Sequence, residues 1–104
     1  CMPGTCEGIV TFSNLDPDTY HYTLWVGVRG DLDNHHESVS VSIGSQELVS
    51  CDVNEYCSLS FATCLDWYDV TDFVQTNGLL GLQYSFSASI SANECPTEIL
   101  FELS

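Results

Sequence analysis

Apolar and polar residues alternate along most of this chain, and a sustained period of two is satisfied by half-buried β-strands rather than helices. Tyr20, Tyr22, Leu24, Val26 and Val28 alternate with His21, Thr23, Trp25, Gly27 and Arg29. Val39, Val41 and Ile43 alternate with serines, and Leu80, Leu82, Tyr84, Phe86, Ala88 and Ile90 alternate with small or polar residues. Val10 and Phe12, Leu59 and Phe61, and Ile99, Phe101 and Leu103 give shorter versions. Turn chemistry separates these runs at Asp16-Pro17-Asp18, Gly30 to Asn34, Gly44-Ser45, Asn54-Glu55, Asn77-Gly78 and Cys95-Pro96. One helical turn is expected, between Asp69 and Gln75, with Thr71 or Asp72 as its cap. Seven or eight strands in about 100 residues predict an all-β fold, a two-sheet antiparallel β-sandwich.

The chain has 104 residues, which implies one domain spanning 1–104. Arg29 is its one basic residue against 15 Asp and Glu, for a formal net charge of −14. A lone cation cannot neutralise a run of phosphates, so nucleic acid and anionic lipid are excluded as partners. No apolar run approaches the roughly 20 residues of a membrane span. The apolar share of 44% and charged share of 15% describe a packed domain, not a disordered acidic tail. The acids gather in turns (Asp16, Asp18, Asp31, Asp33, Asp52, Glu55, Asp66, Asp69, Asp72), whereas several outward strand faces are Ser-rich and nearly uncharged.

Cys1, Cys6, Cys51, Cys57, Cys64 and Cys95 in so short a chain predict a disulfide-stapled domain made in an oxidising compartment. The paired C-x-x-C spacings of zinc sites do not occur. Six cysteines allow 15 connectivities. A strand from Cys57 to Thr63 would hold Cys57 and Cys64 about 20 Å apart, beyond bonding reach. Cys51 with Cys57, and Cys1 with Cys6, each bracket a short loop, which would leave Cys64 with Cys95; Cys1 can instead bond a neighbouring module. Beginning at Cys1 and ending just after a strand-like run, the chain reads as a mature fragment or one module of a longer, repeating polypeptide.

The segment Leu65-Asp66-Trp67-Tyr68-Asp69-Val70-Thr71-Asp72-Phe73-Val74, followed by Asn77-Gly78-Leu79-Leu80-Gly81-Leu82, resembles the D-V-T…G-x-x-x-L segment of galactose-binding-like jelly rolls. Val28-Arg29-Gly30-Asp31-Leu32-Asp33 with Glu37 resembles a segment of secreted β-sandwich modules that occur in tandem. Together the two cover about half the chain. The resemblance implies a jelly-roll-like sandwich, an extracellular setting, a structural calcium and, in some members, glycan binding.

Asp31, Asp33, Asn34 and Glu37 form the densest oxygen cluster, and hard cations such as calcium take six to eight oxygens. They are the candidate metal ligands, against a structural turn in which the acids cap backbone N–H groups. Arg29-Gly30-Asp31 also spells an integrin-read tripeptide, and His35-His36 lies beside the acids. Trp25 falls on the polar face of its strand, and Trp67 and Tyr68 are adjacent, so one of them at most can point into a core. These three are candidates for a glycan platform or a subunit interface, since aromatic faces stack on sugars and dominate interfaces. No G-x-S-x-G elbow or H-E-x-x-H pair is present, and no enzyme is expected. Asn93-Glu94-Cys95 is the one N-x-C variant sequon, and the Ser rows offer sites for O-linked sugar.

The expected function is a non-catalytic extracellular structural or adhesive module, a repeating unit of a surface fibre or filament. Its partners are copies of itself or neighbouring modules, its candidate cofactor is Ca2+, and the alternative is a carbohydrate-binding module. Without Lys, sheet edges lack their usual guards, and the runs Glu7–Ser13 and Glu98–Ser104 are the candidates for strand sharing. If the acidic cluster holds calcium, millimolar Ca2+ raises the melting temperature, and joint Asp31→Asn and Asp33→Asn substitution abolishes the rise.

Overall fold

A computed structural model describes residues 5–29, 31–32, 38–51, 55–56, 59–87 and 98–104, with the backbone alone for 5–6, 31–32, 51, 55–56 and 86–87. The strands are β1 (Thr5–Phe12), β2 (Thr23–Arg29), β3 (Asp31–Leu32), β4 (Ser38–Ile43), β5 (Gln46–Cys51), β6 (Glu55–Tyr56), β7 (Ala62–Asp69), β8 (Leu80–Ser87) and β9 (Glu98–Leu103). A four-stranded antiparallel sheet has the order β1-β8-β4-β5 and a three-stranded one the order β7-β2-β9, while β3 and β6 make a two-residue ladder. The β4–β5 hairpin stays within one sheet, and every other connection among these seven longer strands switches sheets. The architecture is a β-sandwich. No helix among the described residues is long and apolar enough to cross a membrane.

The alternating rows build the core. Leu24, Val26 and Val28 of β2, Val39 and Val41 of β4, and Leu80 and Leu82 of β8 are fully buried, together with Val70. Strands β2, β4 and β8 are each paired on both sides, so their inner rows meet across the sandwich. Phe12, Ile99, Phe101 and Leu103 pack against this layer from the flanking strands. Tyr84 packs against Phe101 with ring centroids 5.8 Å apart and planes tilted by 49°. Gly8 makes room for it, because a Cβ there would run into the Tyr84 ring.

Three places depart from the sequence expectation. β5 carries no alternation, because a bulge falls in its pairing with β4: Val41 faces Val49 and Ser42 faces Glu47, leaving Leu48 as the extra residue. Leu48 and Val49, although consecutive, both pack on the core. The expected strand through Leu59 and Phe61 is not formed. Leu59 and Ser60 make a bend, Leu59 is 91% exposed, and β7 starts at Ala62. The separation argued for Cys57 and Cys64 therefore loses its premise. β2 also starts later than the alternation implied, at Thr23, with Tyr20 left exposed.

Three of the expected turns follow their residues, whereas β3 takes Asp31 and Leu32 out of the expected Gly30 to Asn34 turn, β6 takes Glu55 out of Asn54-Glu55, and Cys95-Pro96 lies outside the described residues. Gly44-Ser45 joins β4 to β5, with Gly44 at φ 59° as a two-residue hairpin of the II′ kind requires. Asp16 accepts from Thr19 N and Tyr20 N through its carbonyl and from Asp18 N through its side chain. Thr71–Phe73 forms a single 3-10 turn inside the expected Asp69–Gln75 span. Gly78 sits at φ 78° and its carbonyl accepts from Leu15 N at 3.1 Å. A Cβ on Gly78 would lie 2.7 Å from Leu15 O.

Two substitutions test this packing in chemical denaturation. Leu82→Ala, which removes fully buried atoms, is expected to lower stability by about 2–5 kcal/mol. Gly78→Ala, which combines a left-handed backbone with a collision, is expected to lower it by about 1–3 kcal/mol.

Candidate functional site

The parity that buries Leu24, Val26 and Val28 sends Trp25, Gly27 and Arg29 to the outer face of the three-stranded sheet. The half-buried Trp25 ring lies over Gly27, where a Cβ would collide with it, and Phe61 is close by. Across β9, Glu102 faces Trp25, Leu100 faces Gly27 and Glu98 faces Arg29. Arg29 donates to the Leu59 carbonyl at 2.8 Å and pairs with Glu98 at 2.9 Å. Its guanidinium also sits 4.4 Å from the centre of the Phe61 ring. The single cation of the chain is thus engaged by three groups of its own fold, and the Arg-Gly-Asp tripeptide has its guanidinium held within the module.

Trp67 and Tyr68 lie on the outer strand β7, where pairing with β2 is irregular. Leu24 faces Tyr68, Val26 faces Leu65 and Gly27 faces Thr63. Trp25 consequently faces Asp66 and Trp67 together, and Cys64 is a further extra residue. Trp67 takes φ 39°, a left-handed conformation uncommon for a bulky side chain. The bulges break the in–out alternation, so Trp67 and Tyr68 are both exposed, at 45% and 47%.

On the four-stranded sheet, the outward side chains of β1, β8 and β4 line a shallow groove of about 630 Å³. Glu7, Ile9, Gln83, Ser85, Ser40 and Ser42 line it together with Gly8 and Tyr84. The registers set Glu7, Ser85 and Ser40 in one row and Ile9, Gln83 and Ser42 in the next. Ser40 Oγ and Ser85 Oγ are hydrogen-bonded at 2.7 Å. β4 and β8 contain no charged residue, so Glu7 supplies the charge of the groove. This surface can offer hydroxyls, an amide and one carboxylate to a ligand, with an apolar Ile9 at its border.

A polar lock ties β7 to the segment before β2. Asp69 Oδ1 accepts from Thr71 Oγ1 at 2.6 Å and from Thr71 N at 2.9 Å. Thr71 Oγ1 in turn accepts from Tyr22 N at 2.8 Å. The helical turn is therefore held from Asp69, not from the expected caps Thr71 or Asp72. The Thr71 hydroxyl and N–H, and to a lesser degree the charge of His21, hold the Asp69 carboxyl below the ordinary range, against the opposing effect of desolvation.

The structure separates the three aromatic candidates: Trp25 is committed to Gly27 on its own sheet, whereas Trp67 and Tyr68 stand at the β7 bulge. Asp31 belongs to β3, and Asp33, Asn34 and Glu37 lie outside the described residues, as do the Asp31 side chain and His35-His36. Cys64 is half-buried and disulfide-bonded. Cys6 and Cys51 are placed by backbone in β1 and β5, and Cys1, Cys57 and Cys95 lie outside the described residues. Phe61 and Gln83 were not singled out from the sequence, whereas Glu7, Ile9 and Glu98 fall in the two runs expected to share strands and Ser40, Ser42 and Ser85 in the Ser-rich outward rows. A signal existed for Ile9: it is apolar but out of phase with Val10 and Phe12, which places it outward. The chain matches no family model, no curated protein and no solved structure.

Because the folded Asp69 carboxyl titrates below its unfolded value, its contribution to stability is present above about pH 4 and is lost as pH falls through the folded pKa. Asp69→Asn is expected to lower the melting temperature at neutral pH, with the gap to wild type closing on acidification below about pH 4. Thermal melts across pH 2–7 measure both quantities.

Proposed function

We propose that this chain is a non-catalytic extracellular structural or adhesive module, a repeating unit of a surface fibre or filament that packs against copies of itself or neighbouring modules. The observation that carries the reading is the placement of β1 and β9, the first and last strands described, at an outer position in each of the two sheets. Among the described residues, each sheet thus offers one terminal strand as an edge that neither Lys nor Pro guards. The charge-free strands β4 and β8 add a hydroxyl-rich face suited to close packing. The disulfide at Cys64 is in keeping with an oxidising compartment. The rest of the reading is a jelly-roll-like topology, disulfide staples pairing Cys51 with Cys57, Cys1 with Cys6 and Cys64 with Cys95, and a Ca2+ held by Asp31, Asp33, Asn34 and Glu37.

A second reading, a carbohydrate-binding module, is favoured by one feature: Trp67 and Tyr68 are adjacent and both about half exposed. Sedimentation velocity from low micromolar to submillimolar protein, run beside a glycan array, distinguishes the two. The assembling module is expected to gain mass with concentration and to retain no glycan. A chain that stays monomeric and binds a glycan, with loss of binding on Trp67→Ala, would establish the second reading in its place.

A further inference from the structure

We propose that β1 is the self-pairing edge of this module, with two copies joining antiparallel so that Ile9 of one lies opposite Ile9 of the other. The joint would merge two four-stranded sheets into one continuous sheet related by a two-fold axis. The inference rests on the assembling-module reading and specifies its contact.

The four outer strands differ in how far they are blunted. β7 carries two bulges and the left-handed Trp67, which interrupt its free rim. β5 is six residues long and bulged at Leu48. β9 is regular, but Glu98 and Glu102 occupy two of its three outward positions. A self-pair centred on Leu100 would set Glu98 opposite Glu102 twice, and like charges directly opposite are destabilising. β1 has none of these features. Its eight residues pair with β8 from Thr5 to Phe12 without a register shift. Among the described residues β8 is its one strand partner.

The side chains on β1 then choose the register. Of the β1 residues whose side chains are described, Glu7, Ile9 and Thr11 are exposed, and Ile9 is 69% exposed. Keeping the inward row inward in both copies requires a register in which like faces meet. Centring the pair on Ile9 buries the two exposed Ile9 side chains against each other, because directly opposed Cβ atoms lie about 4.5–5.5 Å apart. The same register sets Glu7 opposite Thr11, so no acid faces an acid. The two Glu7 side chains end up four residues apart along the strand, about 14 Å, which is beyond the screening length at physiological salt. Centring one residue earlier leaves each Ile9 beside a Glu7, and centring two residues earlier sets Glu7 against Glu7.

Sedimentation velocity on the full chain tests this with charge-paired variants. Wild type is expected to form a dimer at submillimolar concentration. Ile9→Lys and Ile9→Glu are each expected to be monomeric with melting temperatures close to wild type, and an equimolar mixture of the two to restore the dimer. Thr11→Lys, which sets a cation opposite Glu7 of the other copy, is expected to tighten the dimer several-fold at low salt, independently of how the Ile9 variants fold. A dimer that survives both Ile9 substitutions overturns the β1 contact while leaving the assembling module standing. A mixture that stays monomeric, or a Thr11→Lys chain that pairs no more tightly, overturns the register. A wild type that remains monomeric throughout overturns both proposals.

Discussion

Leu24, Val26 and Val28 on one sheet and Val39, Val41, Leu80 and Leu82 on the other bury one another completely, and that apposition decides most of what the surface can be. β2 is hydrogen-bonded to β7 on one side and β9 on the other, so it cannot rotate to present a different row. Once its even-numbered residues face the core, Trp25, Gly27 and Arg29 must face out. Gly27 then accepts the Trp25 ring, and Arg29 reaches Leu59 O, Glu98 and Phe61. The same reasoning on β8 and β4 fixes Gln83, Ser85, Ser40 and Ser42 as one outward hydroxyl and amide surface. Inner packing is therefore the cause of both outer faces.

Strands that keep a period of two are readable from residue types alone, and β2, β4, β8 and β9 are of that kind. The strands that escape such reading contain bulges. In β5, Leu48 is the inserted residue, so two consecutive apolar residues both serve the core and the alternation disappears. In β7, Cys64 and the Asp66–Trp67 pair each reset the phase, and Cys64 and Leu65 both touch the core. A phase error thus mimics a loop, although the adjacent apolar pairs Leu48-Val49 and Cys64-Leu65 mark where it happens. The direction of Trp25 followed from parity and was legible. The partners of Arg29 were not, because Leu59, Phe61 and Glu98 come from segments brought alongside only when β7 and β9 take up their places beside β2.

The bulges also explain how one module can be protected along one rim and open along another. An inserted residue bends a strand and spoils its free row of N–H and C=O groups, which discourages a foreign strand from docking. β7 has two such insertions, and its exposed aromatics Trp67 and Tyr68 are a direct by-product of the lost alternation. β1 has none, and nothing on it replaces the guard that Lys commonly supplies in other sheets. Of the two regular outer strands, β1 and β9, β1 is the one with a single acid.

Net charge acts on the same contact from a distance. A chain carrying −14 repels its own copies, and that repulsion weakens as salt shortens the screening length. Local placement moderates it only in part: β4 and β8 are uncharged, but of the described acids only Asp16, Asp18 and Asp72 lie outside the strands. Charge of this kind sets how readily copies approach and at what ionic strength, while hydrogen bonding and the apolar pair at Ile9 set the geometry in which they meet. Surfaces with cations on both partners can correct a mismatched register by trading ion pairs. Here the one cation is already bound to Glu98, so register depends on where the few outward carboxylates are kept apart.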